Sequence, residues 1–294
     1  MKKLHAYIEL TKPRLTSMVI FTTWLGFALA VPTSGVRPLF NLGSDPRRLF
    51  HTLLGSWLVA AGAAALNQYM ERDLDALMRR TQMRPLPQRR LKASHALIFG
   101  VVLSLIGVLE LAIFVNLLTS ALSLFTLLSY LLCYTPLKTR TSLCTLVGAI
   151  PGAVPPMMGW TAVRNSLAPQ AWILFGILFL WQLPHFLAIA WMYREDYARA
   201  GFPMLPVIDP QGASTARMIL LYTVVLIPVT LMPARMGVAG LSYFFGALAL
   251  GAAFLTCGAF TALHRTALNA RRLLMASVIY LPTLLTWMAW NKAA

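Results

Sequence analysis

The strongest constraint on this chain is the recurrence of apolar runs about as long as a bilayer is thick. Nine can be traced, at approximately Leu15–Val31, Leu49–Met70, Ala96–Val115, Leu117–Tyr134, Leu143–Val163, Ala171–Tyr193, Met218–Met232, Val238–Leu263 and Leu273–Trp290. A helix needs about 20 predominantly apolar residues to cross the hydrocarbon core. The third and fourth runs nearly fuse around Asn116. As a single helix they would reach about 58 Å at 1.5 Å per residue, against a core of about 30 Å, so two spans joined by a tight turn are expected. The seventh run is the shortest and carries Pro228. The expected fold is an all-α polytopic membrane protein with nine spans.

A soluble domain is excluded by composition: 12% of residues are charged and 58% hydrophobic, where an ordinary soluble domain is about 25% charged. The net charge of +16 raises the possibility of a nucleic-acid partner. Such proteins spread basic residues over a polar surface, whereas here they sit between apolar runs, so no nucleic acid is expected. Their distribution orients the chain instead. Loops on one side hold Lys2, Lys3, Lys12, Arg14, Arg72, Arg79, Arg80, Arg84, Arg89, Arg90, Lys92, Lys138, Arg140, Arg194, Arg199, Arg217, Arg265, Arg271 and Arg272. The other side holds Arg37, Arg47, Arg48, Arg164, Arg235 and Lys292. By the positive-inside rule the N-terminus is cytoplasmic and the C-terminus outside.

Acidic residues are scarcer and more telling. Six of the nine acids fall in two loops, Glu71, Asp73 and Asp75 after the second run, and Glu195, Asp196 and Asp209 after the sixth. Four crossings separate these loops, so parity places both on one face. This pattern reads as a single membrane domain, 1–294, of two pseudo-repeated halves, about 1–140 and 141–294. The fifth run is punctuated by Gly148, Pro151, Gly152, Pro155, Pro156 and Gly159. That fits either close helix packing or a kinked wall beside a chamber. Cys133, Cys144 and Cys257 read as small buried hydrophobes, and His5, His51, His95 and His264 as interfacial.

Asn67, Glu71 and Asp75 recur every four residues, which sets them on one face of a helix. They offer only oxygen ligands, which suit Mg²⁺ or Ca²⁺ over zinc, and Mg²⁺ typically completes its shell with water and substrate phosphates. Arg79, Arg80 and Arg84 follow closely enough to grip phosphate oxygens bidentately. The plain alternative is a solvated helix end with pairs such as Asp75–Arg79. In the second loop, Glu195 and Asp196 offer a further metal position beside Arg194 and Tyr197. His185 lies about 15 Å deeper on the same helix; polar groups at such depth tend to mark a pathway, the plain alternative being a histidine beside Pro184 that simply hydrogen-bonds to a neighbouring helix. With no nucleophile array or glycine-rich phosphate loop, the chemistry would rest on electrostatic stabilisation of departing diphosphate in a water-excluding chamber. A transporter, or a structural assembly subunit, is the rival of another class. A transporter would carry its charges deep in the bilayer.

The run Asn67-x-x-x-Glu71-x-x-x-Asp75-x-x-Met78-x-Arg80-Thr81-x-x-Arg84-Pro85-Leu86 resembles the signature of the UbiA superfamily of membrane prenyltransferases. Further matches are Tyr134-Thr135 with Leu137-Lys138, Gly148 to Trp160, Trp181 to Phe186 and Asp196 to Pro206, and these look most like the haem-farnesylating branch. The resemblance implies nine helices around a central cavity, Mg²⁺-bound farnesyl diphosphate as donor, and the haem B vinyl group as acceptor, giving haem O. An aromatic quinone precursor is the alternative acceptor. It further implies that Asn67, Glu71 and Asp75 bind metal and diphosphate, and that Arg80, Arg84 and Lys138 bind phosphate. Asp196 would belong to a second metal-binding motif, with His185 and Arg194 contacting haem. Membrane lipid surrounds such a protein in a bacterial inner membrane, with haem A synthase or terminal oxidase assembly downstream. Two departures stand out: Glu71 replaces the more usual Asp, and Tyr193 and Tyr197 stand where the second motif carries aspartates.

The first apolar run, preceded by basic residues and ending Ala28-Leu29-Ala30, also fits a cleavable leader. Glu9, Pro13 and Arg14 make it a poor one, so retention is expected. N-terminal sequencing of the purified protein checks this: a chain starting at Val31 would remove the first span.

Overall fold

The computed structural model describes residues 2–32 and 45–292; Arg37, assigned above to the outer side, lies outside them. The described residues are almost wholly helical, with one isolated antiparallel bridge, Ala239–Lys292. A short surface helix, α1 (Lys2–Leu10), precedes α2 (Pro13–Ala30), α3 (Pro46–Asp75) and α4 (Ala93–Phe114). Then come α5 (Leu117–Leu137), α6 (Cys144–Arg164) and α7 (Pro169–Met192). Two small helices follow, α8 (Arg194–Arg199) and α9 (Leu205–Ile208), and then α10 (Ala213–Arg235), α11 (Leu241–Leu263) and α12 (Ala267–Trp290). Eight of these are long and apolar enough to cross a membrane. The helix expected as the first of nine spans, α2, has 18 residues with Arg14 in its first turn and is not among these eight. The protein is therefore a multi-pass membrane protein.

Local chemistry sets the helix ends. Pro13, Pro46 and Pro169 open α2, α3 and α7 at positions where the missing N–H costs nothing. Asn116 ends the near-fusion of the third and fourth runs: its side chain caps α5 by accepting from the Thr119 amide (2.8 Å) and donates to the Thr161 carbonyl (2.9 Å). The run at Met218–Met232 extends at both ends to Ala213–Arg235 despite Pro228 and Pro233. Asp209 caps its start, accepting from the Ser214 and Gly212 amides at 2.6 and 3.2 Å. The second run, placed at Leu49–Met70, continues to Asp75, so the polar stripe stays on the helix.

Small residues set how closely the helices approach. Gly55 and Gly62 on α3 face Gly107 and Gly100 on α4, where added Cβ atoms would lie within 3.2 Å of the opposing backbone carbonyls. That is the small-residue seam by which membrane helices gain packing without a hydrophobic driving force between them. In α6, which breaks at Val154, the punctuating residues serve close packing. A Cβ at Gly159 would sit 1.9 Å from the Thr23 carbonyl oxygen of α2, and one at Gly152 would meet the Gln182 amide oxygen at 2.0 Å. In α6, 67% of the most apolar stretch is buried, against 22% in α4, so α6 is central and α4 faces lipid.

The sidedness read from parity is visible in the contacts. Arg90 pairs with Glu9 (2.5 Å), Gln68 reaches the Leu10 carbonyl (2.9 Å), and Arg265 reaches the Gln211 carbonyl (2.9 Å). These join α1, the 76–92 loop, the 193–212 loop and the α11–α12 turn on one face. At the opposite face Arg164 donates to the Ala30 carbonyl (2.7 Å) and Lys292 to those of Ala28 (3.3 Å) and Val31. The start of α1 and the end of α12 thus lie on opposite faces. Two expectations need correcting. His51 is half-buried on α3, where it bonds Glu110 of α4 at 2.6 Å and stacks on Phe114. Cys133 is exposed on the lipid-facing side of α5, and only Cys144 is buried.

Gly159→Val forces a branched side chain into the α2 backbone, and overpacking of this kind costs about 1–3 kcal/mol or more. Thermal unfolding of the detergent-purified variant should show a Tm lowered by several degrees, while Gly176→Ala, whose nearest neighbour is a side-chain carbon at 3.5 Å, leaves it unchanged.

Candidate active site

Three helix ends meet at the loop face: the end of α3 with Asn67, Glu71 and Asp75, the end of α5, and the end of α7 with the loop beyond it. Asn67 and Asp75 are each 1% exposed and Glu71 5%. An isolated carboxylate buried so deeply would neutralise itself. Here each member of the stripe meets a cation. Lys138 donates to Glu71 Oε1 at 2.7 Å, and Arg84 holds both Asp75 oxygens at 2.8 and 2.7 Å through one guanidinium nitrogen. Lys12 Nζ donates to Asn67 Oδ1 at 2.9 Å.

Each cation arrives by its own route. Lys138 follows α5, whose last turns widen to π-helix over Ser129–Tyr134. Pro136 cannot donate to the preceding turn, and π segments often mark functional sites. The Thr135 hydroxyl instead donates to the Tyr130 carbonyl (2.9 Å) and accepts from the Asn67 amide (3.3 Å). Burial opposes the Lys138 charge, but Tyr134, Glu71 and Tyr130 together outweigh it and hold its pKa above the usual lysine value. Arg84 reaches back because the chain leaves helix after Asp75, and the Thr81 hydroxyl ties that turn to the Asp75 carbonyl (2.8 Å). The i,i+4 pair Asp75–Arg79 therefore does not form.

Lys12 was counted above only as a basic loop residue. It occupies the left-handed region (φ 48°) between α1 and α2, a conformation that non-glycine residues adopt at a cost and that points to a functional constraint. Burial pushes its pKa down to about 7, with Arg84 and Lys138 adding like charge and Glu71 and Asp75 opposing them. Its signal in the sequence is Lys12-Pro13 between two helices, since proline displaces the preceding residue from right-handed helix.

The second loop behaves differently. Asp196, 7% exposed, accepts from the backbone amides of Arg79 (3.4 Å) and Arg80 (3.2 Å) and pairs with Arg199. It joins the two loops, and its oxygens are already engaged. Tyr193 and Tyr197 frame Arg80, whose guanidinium carbon lies 5.1 and 5.6 Å from their ring centres. Arg194 lies over the Trp191 ring at 4.9 Å, and Glu195 is exposed. A cavity of about 670 Å³ opens here, lined by Arg80, Arg194 and Asp196 among others. His185 lies deeper, with Nδ1 2.7 Å from the Ser277 hydroxyl of α12 and its ring 5.0 Å from that of Trp181.

Among the described residues no three His, Cys, Asp or Glu side chains converge as a metal site. The stripe supplies two carboxylates and an amide oxygen. That set fits Mg²⁺, which takes one or two carboxylates and leaves its other positions to water and phosphate.

The pattern of the UbiA prenyltransferase family matches residues 19–285. The protoheme IX farnesyltransferase of Solibacter usitatus (strain Ellin6076) is 52% identical over 276 residues, covering 94% of each chain. That of Koribacter versatilis (strain Ellin345) is 44% identical over 98% of this chain and 94% of its own. Among solved structures, a digeranylgeranylglyceryl phosphate synthase superposes with a TM-score of 0.79 at 16% identity over 99% of each chain. A UbiA homologue from Archaeoglobus fulgidus bound to DMAPP and Mg²⁺ gives 0.67 at 13% identity over 96% of this chain and 98% of its own. At such identities these two speak for the fold.

Arg84→Met strands the Asp75 carboxylate, and breaking a buried ion pair from one side costs about 3–5 kcal/mol. Adding Asp75→Asn should recover most of that loss. Unfolding of the two single variants and the double variant in detergent checks it, a double variant no more stable than Arg84→Met counting against the pairing.

Proposed function

The chain belongs to the UbiA prenyltransferase family, and from that premise we propose that it transfers the farnesyl group of farnesyl diphosphate to a vinyl group of haem B, giving haem O. The observation that carries the donor half is the stripe of Asn67, Glu71 and Asp75 with a cation on each member. The relatives' shared activity, at 52% and 44% identity over nearly the whole chain, supports the acceptor.

Bound at Asn67, Glu71 and Asp75, Mg²⁺ would neutralise charge on the departing diphosphate. Lys12, Arg84 and Lys138, each bonded to a stripe side chain, would be placed to bind the phosphate oxygens were the stripe to hold the metal. With Lys12 protonated, two carboxylates against three cations would leave the stripe slightly positive, which suits a magnesium diphosphate that is slightly negative. Because Lys12 is held near neutrality by burial, an arriving anion favours its charged form. As the allylic C–O bond breaks and diphosphate leaves, the terminal vinyl carbon bonds to C1 of the farnesyl chain; water adds at the neighbouring cationic carbon and loses one proton, to solvent or to the departing diphosphate, leaving the hydroxyl of the product. The apolar, aromatic interior shelters the allylic cation.

We assign Asp196 to positioning the Arg79–Arg80 backbone; serving as a metal ligand would require it to leave Arg199 and two amides. His185 is assigned to haem contact, with Ser277 fixing its ring. The basic bias of the stripe-bearing face orients that face to the cytoplasm of a bacterial inner membrane, with the C-terminus outside.

Purified protein incubated with farnesyl diphosphate, Mg²⁺ and haem B should yield haem O by mass, and chelating the metal should stop turnover. Glu71→Gln should lower kcat by about 100-fold or more, the scale of losing one transition-state electrostatic contact. Prenyl label appearing on a hydroxybenzoate and never on haem would sink the acceptor assignment.

A further inference from the structure

The cavity beside the second loop carries more positive charge than the donor needs. Arg79, Arg80, Arg194, Arg199 and Arg265 all line it, against Glu195 and Asp196. Asp196 is engaged by Arg199 and two amides, and among the described residues neither Arg79 nor Arg194 makes an ion pair. The arginines are also held in place. Gly212 (φ 74°) lets its backbone lie flat on Trp191, where a Cβ would come 2.3 Å from the indole, and Arg194 covers that ring too. Arg265 is fixed by the carbonyls of Gln211 (2.9 Å) and Ala262 (3.2 Å). Arg80 is fixed between two tyrosines. Guanidinium groups organised in this way suit carboxylates or phosphates.

The position of the cavity selects the ligand. Its walls include Met192 at the end of α7 and Ala267 at the start of α12. Deeper in the protein the same two helices are tied together at His185–Ser277 and by the Trp181 indole donating to the Ser277 carbonyl (2.8 Å). From Met192 to His185 is seven residues, about 10 Å along the helix, and from Ala267 to Ser277 is ten, about 15 Å. A ligand held in the cavity by an anionic edge would meet the apolar ends of α7 and α12 beyond that edge. Haem B is built that way, with two propionates on one edge and its vinyl groups away from them. The donor's diphosphate already has the stripe, with its own three cations.

We propose that the arginine cavity between the 193–212 loop and the α11–α12 turn binds the propionate carboxylates of the haem acceptor, as a subsite separate from the diphosphate stripe. It orients the porphyrin with its carboxylates at the membrane face and its vinyl edge directed into the apolar interior. This rests on the reading that haem is the acceptor.

The experiment compares haem B with its dimethyl ester as acceptor, in the wild-type protein and in Arg194→Gln/Arg265→Gln. Wild-type kcat/KM should be lower for the ester by about tenfold or more, the scale of one lost charge-assisted hydrogen bond. The double variant should show KM for haem B raised by a similar factor, KM for farnesyl diphosphate within about twofold, and little remaining preference between the two acceptors. Equal use of both acceptors by the wild-type protein would overturn the proposal, and that measurement needs no mutation. A raised KM for farnesyl diphosphate with haem B unaffected would assign these arginines to the donor instead. If the double variant fails to fold, Arg265→Gln alone carries the same comparison. Failure of the wild-type protein to make haem O at all would strike the acceptor reading itself, a distinct result.

Discussion

Two carboxylates sunk at the end of a membrane helix stay charged only if something positive is held against them, and much of the loop face is arranged to meet that condition. Asp75 is met by Arg84, Glu71 by Lys138, and the amide between them and the bilayer by Lys12. The cations come from three different segments, so the stripe fixes the positions of the α1–α2 turn, the 76–92 loop and the end of α5 together. Taking one partner away leaves a buried charge whose desolvation is uncompensated, and a site of this kind fails as a unit. The same arrangement prepares the chemistry. Groups that neutralise each other in the resting protein can be exchanged for metal and diphosphate with little change in local charge, and no charge has to be brought newly into a low-dielectric region.

The frame that holds this site has few polar devices to spare. Within the bilayer the helices satisfy their own backbones, and their closeness is set by where side chains are missing. The glycine seam between α3 and α4 carries the stripe-bearing helix, and Gly159 lets α2 lie against α6, so Lys12 at the head of α2 reaches Asn67. A glycine near the opposite end of α2 thus bears on the position of a lysine at the site.

Much of this could be read from the chain beforehand, because membrane spans and four-residue spacing are local signals. Asn67, Glu71 and Asp75 announce themselves by their period on a helix, and Asn116 by the impossibility of a 58 Å span. What could not be read depends on contacts between distant segments. Arg79 sits at the spacing of a helical partner for Asp75, yet the helix ends there and Arg84 takes the place. Lys12 looks like any basic residue before a membrane span until its left-handed turn carries it to a residue 55 positions away. Asp196 has the composition of a ligand, but its oxygens are used on the backbone of the other loop. His51, read only as one more interfacial histidine, turns out to be the partner of Glu110.

The departure of the second motif from paired aspartates has a physical counterpart in these contacts. With Tyr193 and Tyr197 in those places, the second loop offers aromatic faces to Arg80 in place of oxygens to a second metal ion. A guanidinium held between two rings is less free to reorganise, and it gains strength toward an anion for that reason although it stays exposed. On the proposed reading, the exchange would turn the weaker half of a metal-binding pair into part of an anion-binding wall, leaving the donor to one carboxylate stripe. The arginines of α8 and the α11–α12 turn line the adjoining cavity. An acceptor that is itself a dianion would use such a wall, whereas a neutral aromatic acceptor would not, so the proposal ties the tyrosines at 193 and 197 to the choice of acceptor.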